Sequence, residues 1–342
     1  MKNNRILFYS SVDDVNLFNV TGFYKYDIEA LESLGYIVAK TNSFKSFLKF
    51  WNYDISFLYF YKKSIIPGIL SFLFNKKIIY TGGIDELSME FKVKPINRVI
   101  YKILFLVNYI LSHRCNLVSK KDVENITKLL NSFGIIKTRK LIYFPHCIDV
   151  ENSFFDNNYE KEYIFTTICW MGTVDNVKRK GLDVSLEIFR LFLSLYPNFK
   201  FYIIGTPGTG KLYLENLVDE YGLNNNVYFT GQISEFQKIE LLQKSMFYFQ
   251  ISQYEGFGLA VLEAMICRNY IIHSGKGGLI DTIGENGLIV KNNYTKENVI
   301  LALDRILKNY SSEIKNLDIN RNFVKNKFHI KERASNFDKI IK

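Results

Sequence analysis

Short runs of β-branched and aromatic residues alternate along this chain with longer segments that are apolar at every third or fourth position. In the first half, residues 6–9, 36–38, 55–60 and 78–80 have the composition and length of buried strands. Amphipathic stretches separate them, such as residues 24–34, which end at Gly35, a residue suited to close a helix. Strands spaced by helices predict a parallel sheet covered on both faces. A second alternation of the same kind runs over residues 163–310, and residues 330–342 are helical in pattern. Between the two lies a polar stretch, residues 151–161, that reads as a linker. The expected division is therefore a first domain over 1–152, a second over 160–328, and a terminal helix over 329–342.

Length supports two domains, since 342 residues with 48% hydrophobic content exceed one core and supply two. The beginning of the chain runs straight into a strand, without the apolar core and small-residue cleavage site of a secretory signal. Cys115, Cys147, Cys169 and Cys267 lie far apart, which suits reduced thiols and a cytoplasmic location. Neither the four histidines nor the acidic residues show metal-ligand spacing, so a metal-independent chemistry without cofactor is expected.

Charge is uneven. Residues 1–150 carry 21 Lys+Arg against 12 Asp+Glu, a net of +9, while the remainder carries 23 against 22, a net of +1. In the basic half, lysines alternate with large apolar residues over 44–51, 62–77 and 92–114. None of these reaches the roughly 20 apolar residues that span a bilayer. Two readings stand: an interfacial face for anionic lipid, or core residues with a solvated lysine edge. The first would place the protein peripherally on the inner face of the plasma membrane. Nucleic acid is not expected, because no recognition motif accompanies the charge.

The chemistry concentrates in Tyr254-Glu255-Gly256-Phe257-Gly258-Leu259, which follows an apolar run and opens a helix containing Glu263. Gly256 and Gly258 leave the helix start free of side chains, so backbone N–H groups can meet a phosphate or a departing oxyanion. Glu263 is an acceptor suited to sugar hydroxyls. A glycine-capped helix with two incidental glutamates is the plainer alternative. A second candidate, Gly205-Thr206-Pro207-Gly208-Thr209-Gly210-Lys211, has the spacing of a phosphate loop, but Leu212 stands where a magnesium-binding hydroxyl is needed, which leaves a turn.

Glu255 and Glu263 resemble the E-x7-E signature of family-4 glycosyltransferases, the retaining, nucleotide-sugar-dependent enzymes of GT-B fold. Four further segments follow the family's order. Trp170-Met171-Gly172-Thr173 with Lys178-Arg179-Lys180-Gly181 is similar to its strand, turn and helix start. Phe201-Tyr202-Ile203-Ile204-Gly205 and Asn226-Val227-Tyr228-Phe229-Thr230-Gly231 look like its next two strands. Gly277-Gly278-Leu279-Ile280-Asp281 and Glu285-Asn286-Gly287-Leu288-Ile289-Val290 resemble its closing segment.

The resemblance implies two doubly wound Rossmann-like α/β domains facing a central cleft, with the terminal helix packed back on the first. It also implies sugar transfer from a nucleotide-sugar donor to a saccharide or lipid-linked acceptor, in bacterial surface polysaccharide or glycolipid assembly. Glu255 and Lys180 would be catalytic. Gly22, Gly172, Thr173, Arg179, Gly205, Thr206, Gly231, Gly256, Phe257, Gly258, Leu259 and Glu263 would complete the donor site, and Thr81 and Asp85 would face the acceptor. One departure matters: Thr173 stands where the family usually has Arg, and Arg179 or Lys178 is left to replace that charge. His146 reads as structural. A sugar-nucleotide epimerase or hydrolase, or a non-catalytic partner subunit, are the alternatives from other classes.

Overall fold

The computed structural model describes residues 4–89, 91, 93–136, 138–156, 159–284, 286–290 and 295–342. Lys92 of the third basic segment, Glu285 of the closing motif and two linker residues, 157 and 158, lie outside the described residues.

The chain separates into two units, Met1–Asp149 with Phe328–Lys342, and Val150–Lys327. The first is built on six parallel strands: β1 (Arg5–Tyr9), β2 (Ile37–Thr41), β3 (Ile55–Tyr59), β4 (Lys77–Thr81), β5 (Arg114–Leu117) and β6 (Leu141–Tyr143). Their order across the sheet is β2-β1-β3-β4-β5-β6. Strand β3 is buried along its whole length, as a central parallel strand covered by helices must be. One face packs against the helix Gly22–Ser33 and the terminal helix Ile330–Ile341. The other packs against the helices Pro95–Leu111 and Lys120–Ser132.

The terminal helix is fastened through charge. Arg333, 2% exposed, donates to Asp27 Oδ1 at 2.7 Å and Oδ2 at 2.9 Å. It also donates to the carbonyls of Phe144 and Pro145 and stacks on the Phe144 ring at 4.0 Å. Tyr59 donates its hydroxyl to the same Asp27. Each buried polar atom thus meets a partner, which is the condition for keeping a charge pair inside a core.

In the second unit the strands are β7 (Glu162–Ile168), β8 (Lys200–Ile204), β9 (Val227–Gly231), β10 (Ser245–Gln250), β11 (Tyr270–His273) and β12 (Leu288–Ile289). The order is β12-β11-β10-β7-β8-β9, again parallel throughout. The chain proceeds from β7 outward to β9, then returns to place β10 on the other side of β7. That reversal makes the β7–β10 boundary the switch point, and doubly wound sheets bind ligands beyond the carboxyl ends of strands there. In the first unit the equivalent boundary lies between β1 and β3.

One element differs from the sequence expectation. Trp170 was expected in a strand, but β7 ends at Ile168 and Trp170 is 59% exposed in the loop. Its ring lies against Gly172, where an added Cβ would meet Trp170 at 2.0 Å, so the aromatic residue packs on the turn rather than in the sheet.

Candidate active site

Both sides of the second unit's switch point carry expected site residues. After β7 the chain forms the turn at Gly172 and a short helix, Val174–Arg179, whose last turn holds Lys178 and Arg179. Thr173 caps this helix, its hydroxyl accepting from Asn176 N at 3.1 Å. The hydroxyl that replaces the expected arginine is thereby engaged in local structure. Gly181 follows with φ +68 and lies against the carbonyl of Ile251, 2.1 Å from where a Cβ would stand. Only glycine allows the β7 loop and the β10 loop to approach so closely.

The approach brings Lys180 to Glu255. Lys180 Nζ lies 2.5 Å from Glu255 Oε2, with the side chains 21% and 14% exposed. The same oxygen accepts from Gln250 Nε2 at 3.0 Å and Ser252 Oγ at 3.2 Å. Tyr248 donates to Gln250 Oε1 at 3.3 Å, which extends the network into the all-buried strand β10. Burial pushes the Glu255 carboxyl up, but the Lys180 charge and hydrogen bond, the Arg179 charge and the Ser252 hydroxyl outweigh it. Its pKa therefore falls below the usual range and it stays ionised.

Arg179 bonds Asn176 Oδ1 at 2.7 Å and the Tyr254 carbonyl at 3.4 Å, on the Glu255 loop. Lys178 turns instead onto the Tyr213 ring, 4.9 Å from its centroid. Of the two residues left to replace the missing arginine, Arg179 is the one whose charge reaches Glu255.

The loop after β10 turns into the helix Leu259–Ile266, with Gly258 at its N-cap in the left-handed region, φ +94. Gly278 N donates to the Glu255 carbonyl at 2.7 Å, and Gly277 packs on that carbonyl with φ +64, leaving 2.2 Å to where a Cβ would be. Phe257 is buried, and its carbonyl accepts from Thr282 Oγ1 at 2.6 Å.

Glu263, in the second turn of that helix, is paired with a residue the sequence did not suggest. Lys238, from the helix Glu235–Lys244, lies 2.9 Å from both Glu263 Oε2 and Glu235 Oε1. Burial nonetheless raises the Glu263 carboxyl above its ordinary range, with Lys238 opposing and Glu235 adding to the rise. Glu263 is thus a held carboxylate rather than a freely solvated acceptor. Gly205 and Thr206 follow β8, and Gly231 closes β9, so the glycines expected to line the donor share this carboxyl edge.

Gly22, Thr81 and Asp85 belong to the first unit. Gly22 begins the helix Gly22–Ser33. Thr81 is fully buried at the end of β4. Asp85 is half-buried and lines a cavity of about 440 Å³ with Ser11, Tyr61, Lys62 and Glu86. That cavity lies beyond β1 and β3, at the first unit's own switch point. Phe60 beside it has φ +62, rare for a bulky side chain and the kind of strain found at binding sites. His146 is buried near the Phe23 ring, and burial followed by the Arg333 charge holds its pKa well below normal. It is neutral and structural.

Residues 160–327 match the family model described as glycosyl transferases group 1. The chain is 26% identical over 294 residues to an uncharacterized glycosyltransferase of Methanocaldococcus jannaschii, covering 80% of this chain and 71% of that one. It is 26% identical over 234 residues to an O-antigen biosynthesis glycosyltransferase of Escherichia coli, covering 68% of this chain and 59% of that one. Among solved structures, an Anabaena protein in complex with UDP and glucose superposes with a TM-score of 0.75 at 14% identity, over 98% of this chain and 99% of that one. The structural likeness gives the fold, and the family match lies within the second unit. Residues 160–327 are similar to group 1 glycosyl transferases, and the chain is a glycosyltransferase of GT-B fold.

Proposed function

We propose that the protein is a retaining glycosyltransferase of the E-x7-E type, moving a sugar from a nucleotide-sugar donor to the hydroxyl of a saccharide acceptor. The observation that carries this reading is the Lys180–Glu255 pair at the β7–β10 switch point, with Glu263 in the second turn of the helix that follows. Lys180, Arg179 and the N–H groups at the start of the Leu259–Ile266 helix would hold the donor's diphosphate. Glu263, oriented by Lys238, would accept from the ribose hydroxyls, and Glu255 would hold the sugar.

In the reaction the bond from the anomeric carbon to the diphosphate oxygen breaks, its electron pair leaving with the nucleoside diphosphate. The acceptor oxygen bonds the same carbon, and its proton passes to the departing phosphate. Negative charge grows on the leaving group, where Lys180 and fixed backbone dipoles stabilise it without reorganisation. Two cations and a helix terminus provide that charge from the protein itself, which supports a reaction that runs without metal. The acceptor proposed is a saccharide, lipid-linked in surface polysaccharide assembly, as the name of the E. coli relative suggests. Asp85, which lines a cavity within the first unit, would face the acceptor.

A thermal-shift screen of nucleotide sugars tests the reading, because a ligand that binds the native state raises apparent stability. One nucleoside diphosphate series should stabilise the wild type and fail to stabilise Lys180→Ala. No shift with any nucleotide sugar would remove the proposal.

A further inference from the structure

The helical layer on one side of the first unit is apolar outside as well as inside. The helix Pro95–Leu111 buries Phe105, Asn108 and Tyr109 against the sheet. Its outer face carries Ile96, Val99, Ile100, Ile103 and Ile110, between 46% and 65% exposed. These positions recur at i, i+3, i+4, i+7 and i+14, one stripe about 20 Å long at 1.5 Å per residue. The neighbouring helix Ile65–Leu73 packs beside it, where Gly68 admits Leu111 and Asn108. It too exposes apolar residues, Ile66 at 52% and Leu73 at 68%. The short turn Phe50–Asn52 adds Trp51 at 60%. An apolar surface of this extent is of the kind that marks a binding face.

Charge identifies the occupant. Residues 41–114 hold 11 Lys+Arg against 4 Asp+Glu, a net of +7. Lys45, Lys49, Lys63 and Lys94 stand exposed in the segments that carry the stripe, and none forms an ion pair among the described residues. A second copy of this chain would set the same positive charge against itself. A polyanion without an apolar phase would leave the isoleucines unburied. No helix among the described residues is long and apolar enough to cross a membrane, so the stripe suits a helix lying in the interface plane.

We propose that this face docks on an anionic lipid surface, its isoleucines at the headgroup boundary and its lysines on lipid phosphates. The inference deepens the lipid-linked acceptor of the proposed function and rests on that reading for its purpose. Its geometry belongs to the first unit alone.

The test uses the full chain, with co-sedimentation on vesicles of phosphatidylcholine alone or mixed with phosphatidylglycerol. Wild type should pellet with the mixed vesicles and release with added salt. Ile100→Glu with Ile103→Glu should lower partitioning roughly tenfold or more. Lys45→Glu, Lys49→Glu and Lys94→Glu together should abolish the preference for anionic vesicles. Both variants should keep the wild-type melting temperature and the nucleotide-induced shift, since the altered residues are exposed and lie outside the second unit. Loss of vesicle binding with nucleotide binding intact separates this proposal from the catalytic one. Wild type that binds neither vesicle, or both equally, overturns it. So does a dimer in sedimentation velocity that Ile100→Glu with Ile103→Glu disperses.

Discussion

Removing the Lys180 ammonium should cut turnover sharply while leaving the second unit folded. Its Nζ lies 2.5 Å from Glu255 Oε2, with both side chains mostly but not wholly shielded. An exposed pair contributes about 0–1 kcal/mol and breaking a fully buried one costs about 3–5 kcal/mol. Gln250 and Ser252 still donate to the stranded carboxylate, so Lys180→Ala should destabilise by roughly 2 kcal/mol, between those limits. The catalytic loss is the larger effect. Losing one preorganised group at a developing oxyanion costs about 10²–10³ in kcat, and the diphosphate gains its charge in the transition state.

The pH profile gives a second signature. Burial alone would raise the Glu255 carboxyl, and the Lys180 charge is the largest influence that lowers it. A depressed carboxyl stabilises the fold above its unfolded pKa, and that increment disappears as pH falls through the folded value. In Lys180→Ala the folded pKa moves up, so the acid limb of kcat should shift to higher pH. Steady-state release of nucleoside diphosphate, measured across pH, reads both effects. A variant with near-wild-type kcat and an unmoved acid limb would refute the role given to Lys180.

Glu263→Ala should weaken nucleotide binding by about 1.5–3 kcal/mol, the range for hydrogen bonds to charged groups, and isothermal titration decides it; unchanged affinity in a folded variant removes Glu263 from the site. Arg333→Met leaves Asp27 buried without its cation and should cost about 3–5 kcal/mol in urea unfolding of the first unit. Asp27→Asn in the same background should then cost less than the sum of the two single changes. Activity should survive excess EDTA, because Lys180 and Arg179 carry the positive charge that a metal would otherwise supply; loss on chelation with recovery on magnesium or manganese contradicts that.

The alternation of strands and helices was legible because parallel strands buried on both faces must be nearly continuous apolar runs, as 55–59 and 245–250 are. The resemblance of residues 170–173 to a strand and turn put Trp170 one element too early, since its ring lies in the loop and covers Gly172. Lys180 and Glu255 are 75 positions apart, and motif resemblance rather than spacing or periodicity suggested their meeting. Gln250 offered a signal that went unused: a polar residue closing an otherwise apolar strand needs a partner when buried. Lys238 and Arg333 offered none. Each lies on an amphipathic helix where a cation usually faces water, and tertiary packing alone supplies the carboxylate that holds it. The exposed isoleucines of Pro95–Leu111 were equally hidden, since periodicity predicts an apolar face without saying which way it points.

The most direct test of the account is the fate of the sugar when the full chain meets its stabilising nucleotide sugar and a saccharide acceptor. Nuclear magnetic resonance of the product should show a new glycosidic bond with the donor's anomeric configuration kept. Glu255→Gln should still bind the nucleotide but form little of that product. Inverted configuration would contradict the retaining chemistry, and full transfer by Glu255→Gln would contradict the site.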